Sequence, residues 1–179
     1  GTPVKKPEFQ PTAEPADNPD DNKTPQDQTT DQTFNDLTGY EWAKPAIDNL
    51  YHKGIVNGEN GNYIPGRQVK REEFVKMITA AFKIFSNKKA EFSDVPADAW
   101  YNPYISAAAE AGIIEGYGGV FGVGQAISRQ DASVMLARTA YSDESEYDGG
   151  FKDSDEIADY ARNSVNALAE LGIINGYDD

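Results

Sequence analysis

FSDVPADAWYNPYISAAAEAGIIEGYGGVFGVGQAISRQD, residues 92–131, is the stretch on which the reading of the fold turns, because almost every feature of it occurs twice. Moved back by about 58 residues, Phe92, Asp94, Trp100, Pro103, Ile105, Gly112, Gly116, Phe121, Ile127 and Arg129 fall on Phe34, Asp36, Trp42, Pro45, Ile47, Gly54, Gly58, Tyr63, Val69 and Arg71. Moved forward by about 60, its first half lands on Phe151, Asp153, Tyr160, Val165, Gly172 and Gly176. The sequence stops at Asp179, before the second half recurs. A fixed period of this kind means one supersecondary unit used several times.

The unit reads as helix, loop, helix. Pro45 belongs in the first turn of its helix, because an interior proline loses a hydrogen bond and clashes with the preceding turn. Ala43, Ala46, Ile47 and Leu50 then form one apolar face. Gly54 suits the left-handed residue that stops the helix at Lys53, with Ile55 folding back on Leu50, and Ile113 over Ala108 and Ile173 over Leu168 repeat that ending. The Asn- and Gly-rich loop 57–62 closes on Tyr63 and Pro65. A second helix follows from about Lys70, with Phe74, Met77, Ile78 and Ala81 as its face. In the second copy Ser128 caps that helix and Asp131 stands at N3, close to a capping box; Lys70 leaves the first copy without a side-chain cap.

Outside the repeats the sequence changes character. Residues 1–33 carry Pro3, Pro7, Pro11, Pro15 and Pro19 among polar residues, with Val4 and Phe9 the large apolar exceptions. Such a segment buries too little apolar surface to offset its ordering entropy and reads as a disordered, extended tether that spaces the repeats from something upstream. Residues 83–91 and 142–150 read as polar connectors. In the second, Glu144, Glu146, Asp148 and Gly149 match the opening of a calcium loop, but the closing position holds Asp155 instead of glutamate, and a solvated acidic linker accounts for it better.

Composition narrows the function. The 179 residues carry a net charge of −14, with 30 acidic against 16 basic residues, a field that repels nucleic acid and anionic lipid. No cysteine is present, which removes disulfides, thiol catalysis and Cys-based metal sites. No apolar run approaches a membrane span and no signal-peptide core opens the sequence, as expected of a soluble mature fragment without membrane insertion. His52, the one histidine, faces away from Leu50 towards water, and no catalytic set, phosphate loop or metal cluster surrounds it. The expectation is a protein without enzyme activity and without a cofactor.

An anionic ligand on so acidic a chain needs a local cluster of donors, and Arg71 and Arg129 supply a candidate one. Each falls in the first turn of a second helix, beside free backbone N–H groups and the positive end of the helix dipole. The alternative is that each arginine pairs with a carboxylate such as Asp36 or Asp94 to fix the repeat. Trp42 and Trp100 can offer an apolar face to a sugar ring, or serve as core or groove wall, and Tyr160 keeps both options open in the third copy. Asp36 and Asp94 read either as turn acceptors for backbone N–H groups or as ligand contacts.

Phe-x-Asp-Val, the tryptophan, the Ala-rich helix ending in Gly-Ile-Ile-x-Gly, and the pentapeptides Val69-Lys70-Arg71-Glu72-Glu73 and Ile127-Ser128-Arg129-Gln130-Asp131 resemble the S-layer homology repeat and its Ile-Thr-Arg-Ala-Glu-like signature. The resemblance divides the chain into the 1–33 linker and repeats at 34–90, 91–150 and 151–179, the last an N-terminal half only. It implies an all-α, pseudo-threefold spindle, with a central three-helix bundle and helix-loop-helix prongs. It also implies non-covalent anchoring at the bacterial cell surface, to a secondary cell-wall polysaccharide of the pyruvylated N-acetylmannosamine type held in grooves between repeats. The site residues it implies are Arg71, Arg129, Trp42, Trp100, Asp36 and Asp94, with an upstream cargo domain as the other partner.

Two departures are visible. Val123 stands where the family expects proline, which predicts a looser loop, and the third repeat lacks its second helix. Truncation predicts uncovered apolar surface on Val165, Leu168 and Ile173, and hence self-association. The competing reading of the whole is a structural or protein-interaction module completed by a partner chain.

Overall fold

A computed structural model of the protein describes residues 33–140, 147, 148 and 150–176. Apart from Thr33, the stretch read as a tether lies outside the described residues, as does most of the acidic connector. Among the described residues five α-helices follow one another: α1 (Lys44–His52), α2 (Arg71–Phe82), α3 (Asn102–Glu110), α4 (Arg129–Ala140) and α5 (Asp159–Glu170), with a 3-10 turn at Ser154–Glu156. Only isolated bridges join extended residues, so the described chain is all-α.

Local chemistry sets the helix limits as expected. Pro45 and Pro103 lie in the first turns of α1 and α3, where their missing N–H groups leave no hole in the helix ladder. Gly54, Gly112 and Gly172 take φ of +68°, +71° and +67°, a region open to glycine without strain. Their N–H groups bond the carbonyls of Tyr51, Ala109 and Ala169, and the next N–H groups reach back from Ile55 to Leu50, Ile113 to Ala108 and Ile173 to Leu168 at 2.8–2.9 Å. Three complete Schellman endings result.

Packing interlocks the repeats. α3 lies on α2 and α5 on α4, while α2 touches α4. The first helix of one repeat therefore rests on the second helix of the repeat before it. The principal core draws Val75 and Ile78 from α2, Ile105 and Ala108 from α3 and Met135 from α4, together with Phe121. α2 and α4 thus meet in this shared core. α1 makes no helix-helix contact among the described residues and packs on its own repeat, Ile47 against Phe34, Leu37 and Tyr63.

The buried faces differ from the expected ones. On α2 the face turns to Glu72, Val75, Ile78 and Thr79, leaving Ala81 exposed and Phe74 and Met77 half-buried. Counting apolar residues misses it because two buried members are polar: the Thr79 hydroxyl donates to the Val75 carbonyl at 2.8 Å, and Glu72 bonds the next repeat. On α1 Ile47 alone is buried and Ala46 is exposed. The expected bare surface on the third repeat is also smaller. Val165 is buried against Val134 and Ala161, and Leu168 is fully buried, because α4 covers α5; Ile173 and Leu171 remain exposed.

Candidate functional site

The loop that enters each second helix is built around an aspartate. Asp94 accepts N–H bonds from Phe121, Gly122 and Val123 at 2.7, 2.7 and 2.9 Å. Asp36 accepts the matching bonds from Tyr63 and Ile64 at 2.8 and 2.7 Å. Burial opposes ionisation of both carboxyls and the backbone donors outweigh it, so both titrate below the ordinary aspartate value of 3.8. Of the two readings open for these residues, this is the geometry of the turn acceptor. Where a looser loop is expected at Val123, the structure shows an added bond. Proline has no N–H, so valine adds a third bond to Asp94 that Pro65 cannot add to Asp36.

Arg71 reaches from the first turn of α2 into the loop of the second repeat. Its Nε donates to the Phe121 carbonyl at 3.1 Å, its guanidinium lies 5.2 Å from the Phe121 ring centre, and its Nη1 meets Asp131 Oδ2 at 3.1 Å. The carboxylate partner is therefore Asp131, from another repeat, and not Asp36 or Asp94. Gly122, at φ +92°, makes the approach possible: a Cβ there would stand 3.3 Å from Arg71 Cδ and Nε. Next to Arg71, the buried Glu72 accepts the Gly124 N–H at 3.0 Å.

The second junction follows the same plan with different atoms. Arg129 donates from Nη2 to the Asn175 carbonyl at 2.8 Å, and Gln130, in the place of Glu72, accepts the Ala158 N–H at 3.0 Å. Ser128 caps α4 through the Asp131 N–H at 3.1 Å. The reciprocal half of the expected box does not form, because the Asp131 carboxylate is held by Arg71 and by the Tyr160 hydroxyl at 2.7 Å. In the first repeat it is Glu73 that reaches back, to the Lys70 N–H at 2.8 Å, while Arg67 grips it through both terminal nitrogens at 2.9 Å.

The aromatic candidates separate. Trp42 is 82 % exposed and is neither core nor wall in the described chain. Trp100 is 38 % exposed and stands edge-on to Tyr101 and Tyr104, a wall position. The structure brings Arg71 to the loop held by Asp94, and Arg129 to the end of the third repeat. Sequence reasoning missed Glu72 and the bridging role of Asp131. The first carried a signal, a charged residue at a position that the helix period places inwards, whereas the second was hidden by its fit to a capping box. No group of His, Asp or Glu suited to a metal ion occurs among the described residues.

The family model of the S-layer homology domain matches residues 33–75, 91–133 and 150–179. This chain belongs to the S-layer homology family. Its similar relatives include an amylopullulanase of Thermoanaerobacterium thermosulfurigenes, 39 % identical over 82 % of this chain and 8 % of its own length. The exoglucanase XynX of Acetivibrio thermocellus is 38 % identical over 80 % of this chain and 14 % of its own. The S-layer protein sap of Bacillus anthracis is 32 % identical over 83 % of this chain and 19 % of its own. The S-layer homology region thus spans a small part of each relative. The first two family matches end inside a second helix, a few residues past Arg71 and Arg129, and the hydrogen bonds of those arginines cross to the following repeat.

Proposed function

We propose that this chain anchors a larger exported protein non-covalently to the bacterial cell wall, and that its ligand is a secondary cell-wall polysaccharide carrying pyruvylated N-acetylmannosamine. The observation that carries the proposal is the placement of Arg71 and Arg129 at successive repeat junctions, in the first turns of α2 and α4. A guanidinium there offers a planar fork to a ketal carboxylate, and the neighbouring helix N-terminus adds to its positive potential. This accounts for an anion site on a chain of net charge −14. In this reading Trp42 and Trp100 offer flat apolar faces to sugar rings beside the two clefts, and Asp36 and Asp94 act by holding the loops that form the cleft walls.

The repeats at 34–90, 91–150 and 151–179 form the anchor, residues 1–33 link it to cargo, and any catalysis in the whole protein resides elsewhere. The test is co-sedimentation with purified cell wall before and after acid extraction of its polysaccharide. Binding should vanish after extraction. Binding that survives it would favour the protein-interaction reading, and a folded Arg71→Ala, Arg129→Ala variant that still sediments with intact wall would refute the arginine assignment.

A further inference from the structure

One carboxylate joins the three repeats. Asp131 belongs to the second, yet its Oδ2 holds Arg71 of the first at 3.1 Å and its Oδ1 accepts the hydroxyl of Tyr160 from the third at 2.7 Å. Where Glu73 reaches back to the N–H of Lys70 at the start of α2, the two Asp131 oxygens are committed to this bridge instead. A guanidinium presents two forks to a carboxylate, Nε with Nη2 and Nη1 with Nη2. On Arg71 the Phe121 carbonyl occupies Nε, and Asp131 occupies Nη1. The guanidinium also lies 5.2 Å from the Phe121 ring centre, which adds to its hold on that loop. The fork left for an incoming carboxylate is therefore the one at which Asp131 competes.

We propose that Asp131 is a specificity-determining residue of the cleft between the first and second repeats: it is a built-in competitor that a ligand carboxylate must displace from Arg71. Tyr160 receives the displaced group. Its hydroxyl holds Oδ1 throughout and stabilises the carboxylate when Oδ2 loses the arginine. A neutral sugar brings no anion to exchange and is excluded by the intact pair. This rests on the proposed recognition of an acidic wall sugar, and it assigns Asp131 and Tyr160 opposite effects on that recognition.

The test uses calorimetric titration of the methyl glycoside of pyruvate-ketal N-acetylmannosamine, with the unmodified N-acetylmannosamine glycoside as control. Arg129→Ala is the background, so that the Arg71 cleft alone is read. Asp131→Asn should tighten binding of the pyruvylated probe by roughly fivefold or more, since it removes both the competitor and its repulsion of the ligand. Tyr160→Phe should weaken binding by about twofold, because the carboxylate then relies more on Arg71. A purely structural role for the bridge moves both variants in the same direction. Unchanged or weaker binding by folded Asp131→Asn overturns the inference while leaving the anchoring proposal intact. If the unmutated chain binds neither probe, anchoring through this sugar fails and the inference with it.

Discussion

Val123 donates its backbone N–H to Asp94 Oδ2 at 2.9 Å, a bond that Pro65, its counterpart one repeat earlier, has no hydrogen to make toward Asp36. The position that departs from the family pattern is thus the better bonded of the two. Val123→Pro should remove the bond and recover only part of the loss by stiffening the unfolded chain. The net cost is about 0.5–1 kcal/mol, at the low end for a charged acceptor because water screens the site. Urea unfolding measures it, and a raised midpoint would show that the extra bond stabilises nothing.

Asp94 also sets an acid limit. Burial alone would raise its titration, but three backbone donors hold it below 3.8. Its folded value is depressed, so its contribution to stability is complete above the unfolded value and disappears as pH falls through the folded one. Stability should therefore drop below about pH 4, and less steeply in Asp94→Asn, which is already destabilised at pH 7. Chemical unfolding between pH 7 and pH 2.5 reads the two slopes. Identical slopes would remove Asp94 from the acid response.

Lys70 caps α2 with backbone geometry at φ −80°, ψ 155° but with no hydrogen bond from its side chain, while Glu73 already bonds its N–H. Lys70→Thr completes the reciprocal pair. It should stabilise the chain by about 0.5–1 kcal/mol. Thermal unfolding at or below the parent midpoint would count against that cap.

Trp42 and Trp100 hold the same place in the repeat and should respond differently. Trp42→Ala removes an exposed side chain and should change stability by no more than about 0.5 kcal/mol, while weakening wall binding severalfold. Trp100→Ala breaks aromatic contacts to Tyr101 and Tyr104 and should cost about 1–2 kcal/mol. Circular dichroism melts paired with wall co-sedimentation separate the two effects. A large stability loss in Trp42→Ala would place that ring in a contact the described chain lacks.

Sequence alone determined the elements and the plan of their repetition. Prolines in the first turns and glycines at the C′ positions act within a few residues, so Pro45, Pro103, Gly54, Gly112 and Gly172 mark helix limits wherever the helices later pack. The arginine signature was legible for a similar reason, since its place at a helix start follows from local spacing. Tertiary structure decided what those residues touch. Glu72 is buried where Gly124 of the next repeat bonds it and Thr79 where its hydroxyl bonds its own helix, and a polar residue facing inwards is invisible to an apolar count. Asp131 looked like half of a cap, and only the approach of Arg71 and Tyr160 from repeats on either side gave its carboxylate other partners. Hydrogen bonds between residues sixty and twenty-nine positions apart depend on how whole repeats dock, which no local pattern encodes.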